Sequence, residues 1–364
     1  MSFALQQLLG YVALGKPIEK VKNGIPDPLP EFSSIKGSPA IADKKRFMTY
    51  RGTRKVARRA EYDAPHLRGT NTPVGEQDVI CLSAKELLPV PGSTLIALRS
   101  LDKYQQDMGK DWLAITTRNF TTRFDNLRKA QRWQMLAGGK NWFNAAGDLL
   151  PSSSGAVLTI DVGIAATHLD QANGIIDLAW SNSQANIPLH IQKLNQQAAF
   201  QTGYDLEVAL YGQSIPSFLS TNDYAMDYLA RNPRFNDAFT FASAGAGPLP
   251  DGLFGIKRWI PTNKAFYEDA DGTNRQIFAD DSLVLCPLPN QDWCEEVEGT
   301  TMVPTTFNAT ADVAGALDTA ILKQGMYGYG LPQHNPFGVT LFFGDVFLFF
   351  IKNADAIWAL DVDF

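Results

Sequence analysis

STLIALRSLDKYQQDMGKDWLAITTRNFTTRFDNLRKAQRWQMLAGG (Ser93–Gly139) is the stretch on which the reading of the whole chain turns. Leu101, Tyr104, Met108, Trp112 and Ile115 step by three and four residues, and Phe120, Phe124 and Leu127 resume the spacing, as one apolar face of a helix does. A single helix of that length would run about 65–70 Å, more than a compact pocket needs. Such a helix serves as a strut whose flanks are covered by neighbours. Gly109, Gly138 and Gly139 mark where it kinks or ends, and the alternative is two ordinary helices broken at Gly109.

Working outward, GGKNWFNAAGDLLPSSSGAVLTIDVG (138–163) reads as strand, turn and strand, and NRQIFADDSLVLCPL (274–288) as a further strand region. From Pro17 to Pro39 five prolines (Pro17, Pro26, Pro28, Pro30, Pro39) remove backbone donors and fix φ, which predicts an extended arm. Before it, Leu5, Leu8, Leu9 and Val12 have the spacing of an amphipathic docking helix. Trp180–Pro188 is expected as a polar, turn-rich boundary. A helix follows from Pro188 with Leu189, Leu194 and Ala198 inward and Gly203 as its stop, then a strand at Leu206–Tyr211. A second helix is expected over Ile215–Asn232, carrying Phe218, Tyr224, Tyr228 and Leu229, then a mobile loop at Ala242–Pro250 and hairpins over 253–288. At the chain end Trp358, Leu360, Val362 and Phe364 alternate with Ala359, Asp361 and Asp363, the period of a strand with one buried face.

The chain has 364 residues, 45% of them hydrophobic and 19% charged, enough for a packed core with much surface left for neighbours. Its net charge of −6 conceals an asymmetry. Between Asp43 and Arg68 stand nine basic residues (Lys44, Lys45, Arg46, Arg51, Arg54, Lys55, Arg58, Arg59, Arg68) against three acids, +6 locally, leaving −12 elsewhere. A basic segment on an acidic body pairs with another copy of that body or with nucleic acid, or it stands solvated with no partner. Only Phe47, Tyr50 and Tyr62 interleave with the charges, too few for a base-stacking platform, and the acidic bulk repels phosphate, so self-association is the favoured reading.

Motifs for chemistry are missing. No phosphate-binding loop, dinucleotide fingerprint or His-Glu-x-x-His occurs, and Pro248 and Pro250 stop the helix that Gly245–Gly247 would need to hold a phosphate. His66, His168, His190 and His334 have no ligand-like spacing, Cys286 and Cys294 lack two further zinc ligands, and Asp280–Asp281 reads as an acidic turn. No cofactor and no metal is expected. Three cysteines, with no signal peptide ahead of them, imply no disulfide framework and a reducing compartment. The longest apolar run, Val346–Ile351, is far too short to span a bilayer, so no membrane partner is expected.

The order of these features, over roughly residues 40–364, resembles the major capsid proteins of tailed double-stranded-DNA phages, most closely the lambda-type family. There a basic loop precedes a spine helix, a Gly-Lys-aromatic strand follows it, and a hairpin leads into an Asp-Asp-x-hydrophobic strand; Ala279 stands here where the family carries a proline. The resemblance implies an α+β fold with an N-terminal arm (1–42), an extended basic loop (43–84), a peripheral domain with the spine helix (85–164 and 336–364) and an axial domain (165–335). In it, the last strand would rejoin the strands that follow the spine helix. It also implies a structural, non-enzymatic protein of the virion, assembled in the host cytoplasm, whose copies form hexamers and pentamers of an icosahedral head. The expected partners are other copies, scaffolding and decoration proteins, and packaged DNA through non-specific contacts. No lysine–asparagine cross-link is expected. The same fold also builds cellular compartments that enclose enzymes, the nearer alternative; a soluble α+β enzyme is the remote one.

Overall fold

The computed structural model describes residues 27, 29–40, 44–50, 74–99, 102–235, 239, 248–268, 272–304, 320–334 and 337–364. The expected docking helix at Leu5–Val12 and the loop tip from Arg51 to Pro73 lie outside them, as does most of the expected loop at Ala242–Pro250.

The predicted strut forms in two pieces, Gly92–Arg99 and Lys103–Gly138, the second 36 residues and therefore about 54 Å long. It passes through Gly109 unbroken. Its start is set by Asp102, whose carboxylate accepts from the Tyr104 amide at 3.0 Å. Its end is set by Gly139 at φ +70°, whose amide donates to Met135 O at 2.8 Å. A Cβ at Gly139 would also stand 2.7 Å from the Ile164 side chain, so conformation and space both demand glycine.

The spacing located this helix and the buried Phe120 and Phe124, but misjudged the face of its first half. Tyr104, Met108 and Ile115 are 73, 56 and 58% exposed, whereas Leu113, Phe120 and Phe124 are buried together with Thr116, Thr117 and Thr121. The buried face follows Val339, Leu341 and Phe343 of a neighbouring strand, and Phe120 stacks on Phe343 with ring centroids 4.4 Å apart. That strand, Phe337–Ile351, is 15 residues long and pairs antiparallel with Leu82–Pro89, Tyr327–His334 and Cys294–Glu298. Gly344 is needed where the ring of Tyr327 crosses the backbone, because a Cβ there would meet that ring at 2.3 Å.

The strands expected after the helix form a three-stranded sheet of Lys140–Phe143, Leu149–Leu150 and Leu158–Asp161. A separate five-stranded sheet runs in the order Leu169–Asp170, Trp358–Asp361, Ser282–Cys286, Val208–Tyr211 and Arg258–Pro261. The chain end is thus a strand, with Trp358, Leu360 and Val362 buried, though Phe364 is exposed. Its partners differ from those expected: it lies antiparallel to Ser282–Cys286 and parallel to Leu169–Asp170, not beside the strands that follow the long helix. Trp358 stacks on His168 at 4.0 Å and fills the core between this sheet and its helices, a burial unavailable beside the small three-stranded sheet.

Helix Ile187–Gln201 buries Ile187, His190, Ile191, Leu194 and Ala198; Leu189, expected inward, is exposed. The single helix expected at Ile215–Asn232 is two, Ile215–Thr221 and Asp223–Arg231, divided at Asn222. That residue adopts an extended conformation, caps the second helix by accepting from the Ala225 amide at 2.9 Å, and donates to the carbonyls of Asn182, Ser183 and Ala185. Those bonds fold the supposed polar boundary inward, so that Trp180 and Ala185 are fully buried. At Ala279 the turn closes without a proline, its carbonyl accepting from both the amide and the hydroxyl of Ser282.

Candidate subunit-contact surface and the ion network beneath it

The basic segment begins as a hairpin in which Lys44–Tyr50 pairs antiparallel with Val74–Ile80, from Lys44 opposite Ile80 to Tyr50 opposite Val74. Of the nine basic residues picked out by charge, Lys44, Lys45 and Arg46 lie on this first strand; Arg51, Arg54, Lys55, Arg58, Arg59 and Arg68 lie outside the described residues. Lys44 and Arg46 are exposed. Lys45 turns inward, donating to Ser38 O at 2.8 Å and pairing with Glu295, whose other oxygen takes Lys352 at 2.7 Å. The structure therefore brings Lys45 to an intramolecular anchor at the foot of the hairpin.

Beneath that foot runs a buried network that charge counting did not find. Arg128 grips Asp345 with two bonds of 2.7 and 2.6 Å, reaches Glu298 at 2.8 Å, and lies over the Phe347 ring at 4.6 Å. One turn on, Arg132 bonds Glu296 at 2.6 and 3.0 Å and pairs with Asp27. Burial opposes the charge on Arg128, but the bonds and fields of Asp345 and Glu298 more than offset it and hold the guanidinium protonated well above its usual range. The long helix thereby clamps three sequence-distant strips: residues 27–40, the strand Cys294–Glu298, and the strand Phe337–Ile351.

The proline-rich arm is held in part by the same clamp. Asp27 also accepts from the Trp133 indole at 3.2 Å, while Leu29, Phe32 and Ile35 are buried. Phe32 meets Trp293 and Phe349 edge-on at 5.9 and 6.5 Å. Signals for this network stand in the sequence. Arg128 and Arg132 sit four apart on a helix face that is otherwise burying itself, and Asp345 is a lone acid within the apolar run GVTLFFGDVFLFFI.

His168 and His190 both serve the core. His190 receives the Trp180 indole N–H on Nδ1 at 3.3 Å and meets Asp177 through Nε2 at 2.7 Å; His168 bonds Gln201 at 2.6 Å. Cys286 and Cys294 are buried, and burial pushes both thiols up, so neither is a ready thiolate. Among the described residues no three of His, Cys, Asp and Glu gather as metal ligands would, and no helix is long and apolar enough to cross a membrane. Asp280 and Asp281 form an acidic turn: Asp280 accepts from Gln276 and gives its carbonyl to Ser214 N, and Asp281 gives its carbonyl to Val362 N.

No family model matches the chain, and no curated protein matches its sequence. Solved structures do. A protein assigned as a prophage capsid protein in Escherichia coli CFT073 is similar over 97% of this chain and 99% of its own, at 13% identity and a TM-score of 0.57. A phage-related protein of Bordetella bronchiseptica RB50 covers 97% of both chains at 8% identity and TM-score 0.48, and a chain of the satellite phage P4 procapsid covers 97% and 99% at 8% and 0.44. The α+β fold of this chain is the phage major capsid fold, as the order of its sequence features implied.

Proposed function

We propose that this chain is the major capsid protein of a tailed phage, of lambda-type affinity, whose copies assemble as hexamers and pentamers into an icosahedral head around double-stranded DNA. The observation that carries the reading is the end-to-end likeness in fold to the prophage capsid protein, 97% of one chain on 99% of the other. The buried clamp supports it, because a strut locked at three places transmits load between neighbours. In this reading residues 1–42 are the arm, 43–84 the extended loop, 85–164 with the returning strand Phe337–Ile351 the peripheral domain, and 165–335 the axial domain, which the last strand Trp358–Asp361 joins. The role is mechanical and not enzymatic. Its partners are other copies, scaffolding and decoration proteins, and packaged DNA met non-specifically; its place is the virion, after assembly in the host cytoplasm.

Lys44, Arg46, Arg51, Arg54, Lys55, Arg58, Arg59 and Arg68 are proposed to meet acidic surface on adjacent copies. A single exposed pair is worth about 0–1 kcal/mol, so the effect must come from repetition over the shell. Two experiments test this reading. Negative-stain images of the purified protein should show shells, rings or tubes, and isolated small particles at high concentration would overturn it. Arg54→Glu with Arg58→Glu should leave circular dichroism unchanged and abolish or weaken assembly; normal shells with unchanged salt tolerance would remove the loop from the contact.

A further inference from the structure

A cavity of about 270 Å³ lies between the long helix, the strand leaving the hairpin foot at Leu82–Ala84, the Asn144–Gly147 turn and the strand Phe337–Ile351. Its exposed lining, the turn at Ala146 and Gly147 with Leu158, forms the mouth, and the rings of Phe143 and Phe347 are buried within. A void of roughly 150 Å³ with apolar walls accepts benzene, so this space suits a single substituted ring. The charged groups on the lining, Arg128 and Asp345, are joined by bonds of 2.7 and 2.6 Å, and the remaining Arg128 bond goes to Glu298. An ion entering there finds no free counter-charge and forfeits its hydration, which selects against occupants of either sign. The Asn144 amide is spent within its own turn, on Asp148 and the amides of Ala146 and Asp148. Gln131 is different. It lines the cavity with only 3% of the residue exposed, and its Oε1 has no hydrogen-bond partner among the described residues. A buried amide oxygen left without a donor is costly, so an occupant that supplies one is favoured. Because the amide turns about its last bond to offer oxygen or nitrogen, a hydroxyl, donor and acceptor at once, pairs with either end.

We propose that this cavity binds one small uncharged aromatic alcohol, its ring against Phe143 and Phe347 and its hydroxyl on the Gln131 amide. Apolar walls alone accept any hydrocarbon of the right size. The two phenylalanine rings favour a third ring packed edge-on or offset, and the amide adds the selection for a hydroxyl. Four elements meet around the cavity at the hairpin foot, so an occupant that binds only the folded chain raises its thermal midpoint. The site is complete within a single chain, and its failure would leave the capsid reading standing.

The test titrates the full chain with 4-ethylphenol, ethylbenzene, 4-ethylbenzylamine and 4-ethylbenzoate, and reads dissociation constants by ligand-observed NMR. 4-Ethylphenol should bind about fivefold or more tightly than ethylbenzene, which leaves the amide oxygen unmet. It should also bind about tenfold or more tightly than the amine or the carboxylate, which bring a charge without a partner. No binding of 4-ethylphenol, equal binding of ethylbenzene, or equal binding of either ion overturns the proposal. Gln131→Met removes the amide at similar volume, and the phenol's advantage over ethylbenzene should shrink to within about twofold. An advantage that persists in this variant places the phenol elsewhere and also overturns the proposal. Ala146→Trp, at an exposed position of the mouth, fills the entrance without touching the core and should remove 4-ethylphenol binding. Unchanged affinity in that variant, with native circular dichroism, would exclude this cavity as the site.

Discussion

At the scale of single residues, the core histidine His190 carries a consequence for acid stability. Burial holds its imidazole below the ordinary histidine range, opposed by the bond to Asp177, with Lys193 nearby adding to the depression. A depressed folded value means that the unfolded chain takes up the proton first, so this contribution to stability is present above about pH 6.5 and is lost as pH falls through the folded value. The thermal midpoint should therefore fall between about pH 7 and pH 5. His190→Gln should flatten that slope while lowering the midpoint at pH 7, because the Trp180 indole loses its acceptor. Melts at several pH values check both, and an unchanged slope would exclude His190. Sequence spacing gave no reason to read such residues as metal ligands, since isolated histidines have nowhere to share an ion. It could not assign them partners, because Asp177 and Trp180 reach His190 only through the fold of the turn between them.

Among the elements, the long helix was legible and its anchoring was not. Periodicity registers apolar residues at three and four; it cannot say which of two adjacent stripes meets a partner, so Ile115 was expected inside where Leu113 is. Nor does it register a charge that is buried because another segment supplies its counter-charge. Removing one partner of a buried ion pair costs about 3–5 kcal/mol, whereas replacing the pair with apolar residues of similar volume is often close to neutral. Arg128→Ala should accordingly cost about 3–5 kcal/mol in urea unfolding, and Arg128→Met combined with Asp345→Leu and Glu298→Gln, which removes both counter-charges, should recover most of the loss. Equal losses in the two variants would mean that the network contributes more than its charges. The chain-end strand shows the same boundary of legibility. Its alternation at Trp358, Leu360 and Val362 gave the face, but a strand's partner is set by which sheet edge needs covering, and that is a property of the whole topology.

For the whole molecule, that strand ties the last residues to the middle of the five-stranded sheet. Burying a large apolar side chain contributes about 1.5–3 kcal/mol, and three of them approach the 5–15 kcal/mol by which a domain is stable. Deleting Trp358–Phe364 should yield insoluble or unfolded chains, not altered shells. A soluble truncated chain with native circular dichroism would show that the strand is dispensable. The order of arm, loop, strut and returning strands let the architecture be read across the chain, since each has its own composition. The closing of that architecture was hidden, because it depends on contacts spanning half the chain or more.

The partners of Arg128 lie 170 and 217 residues further along the polypeptide. On a ribosome adding about 5–20 residues per second, Asp345 is made roughly 10–40 s after the arginine it must meet. Until then at most one of the arginine's two counter-charges, Glu298, has been made. Chains cut short before Asp345 can never close the clasp, so the fold itself distinguishes a finished chain from an unfinished one.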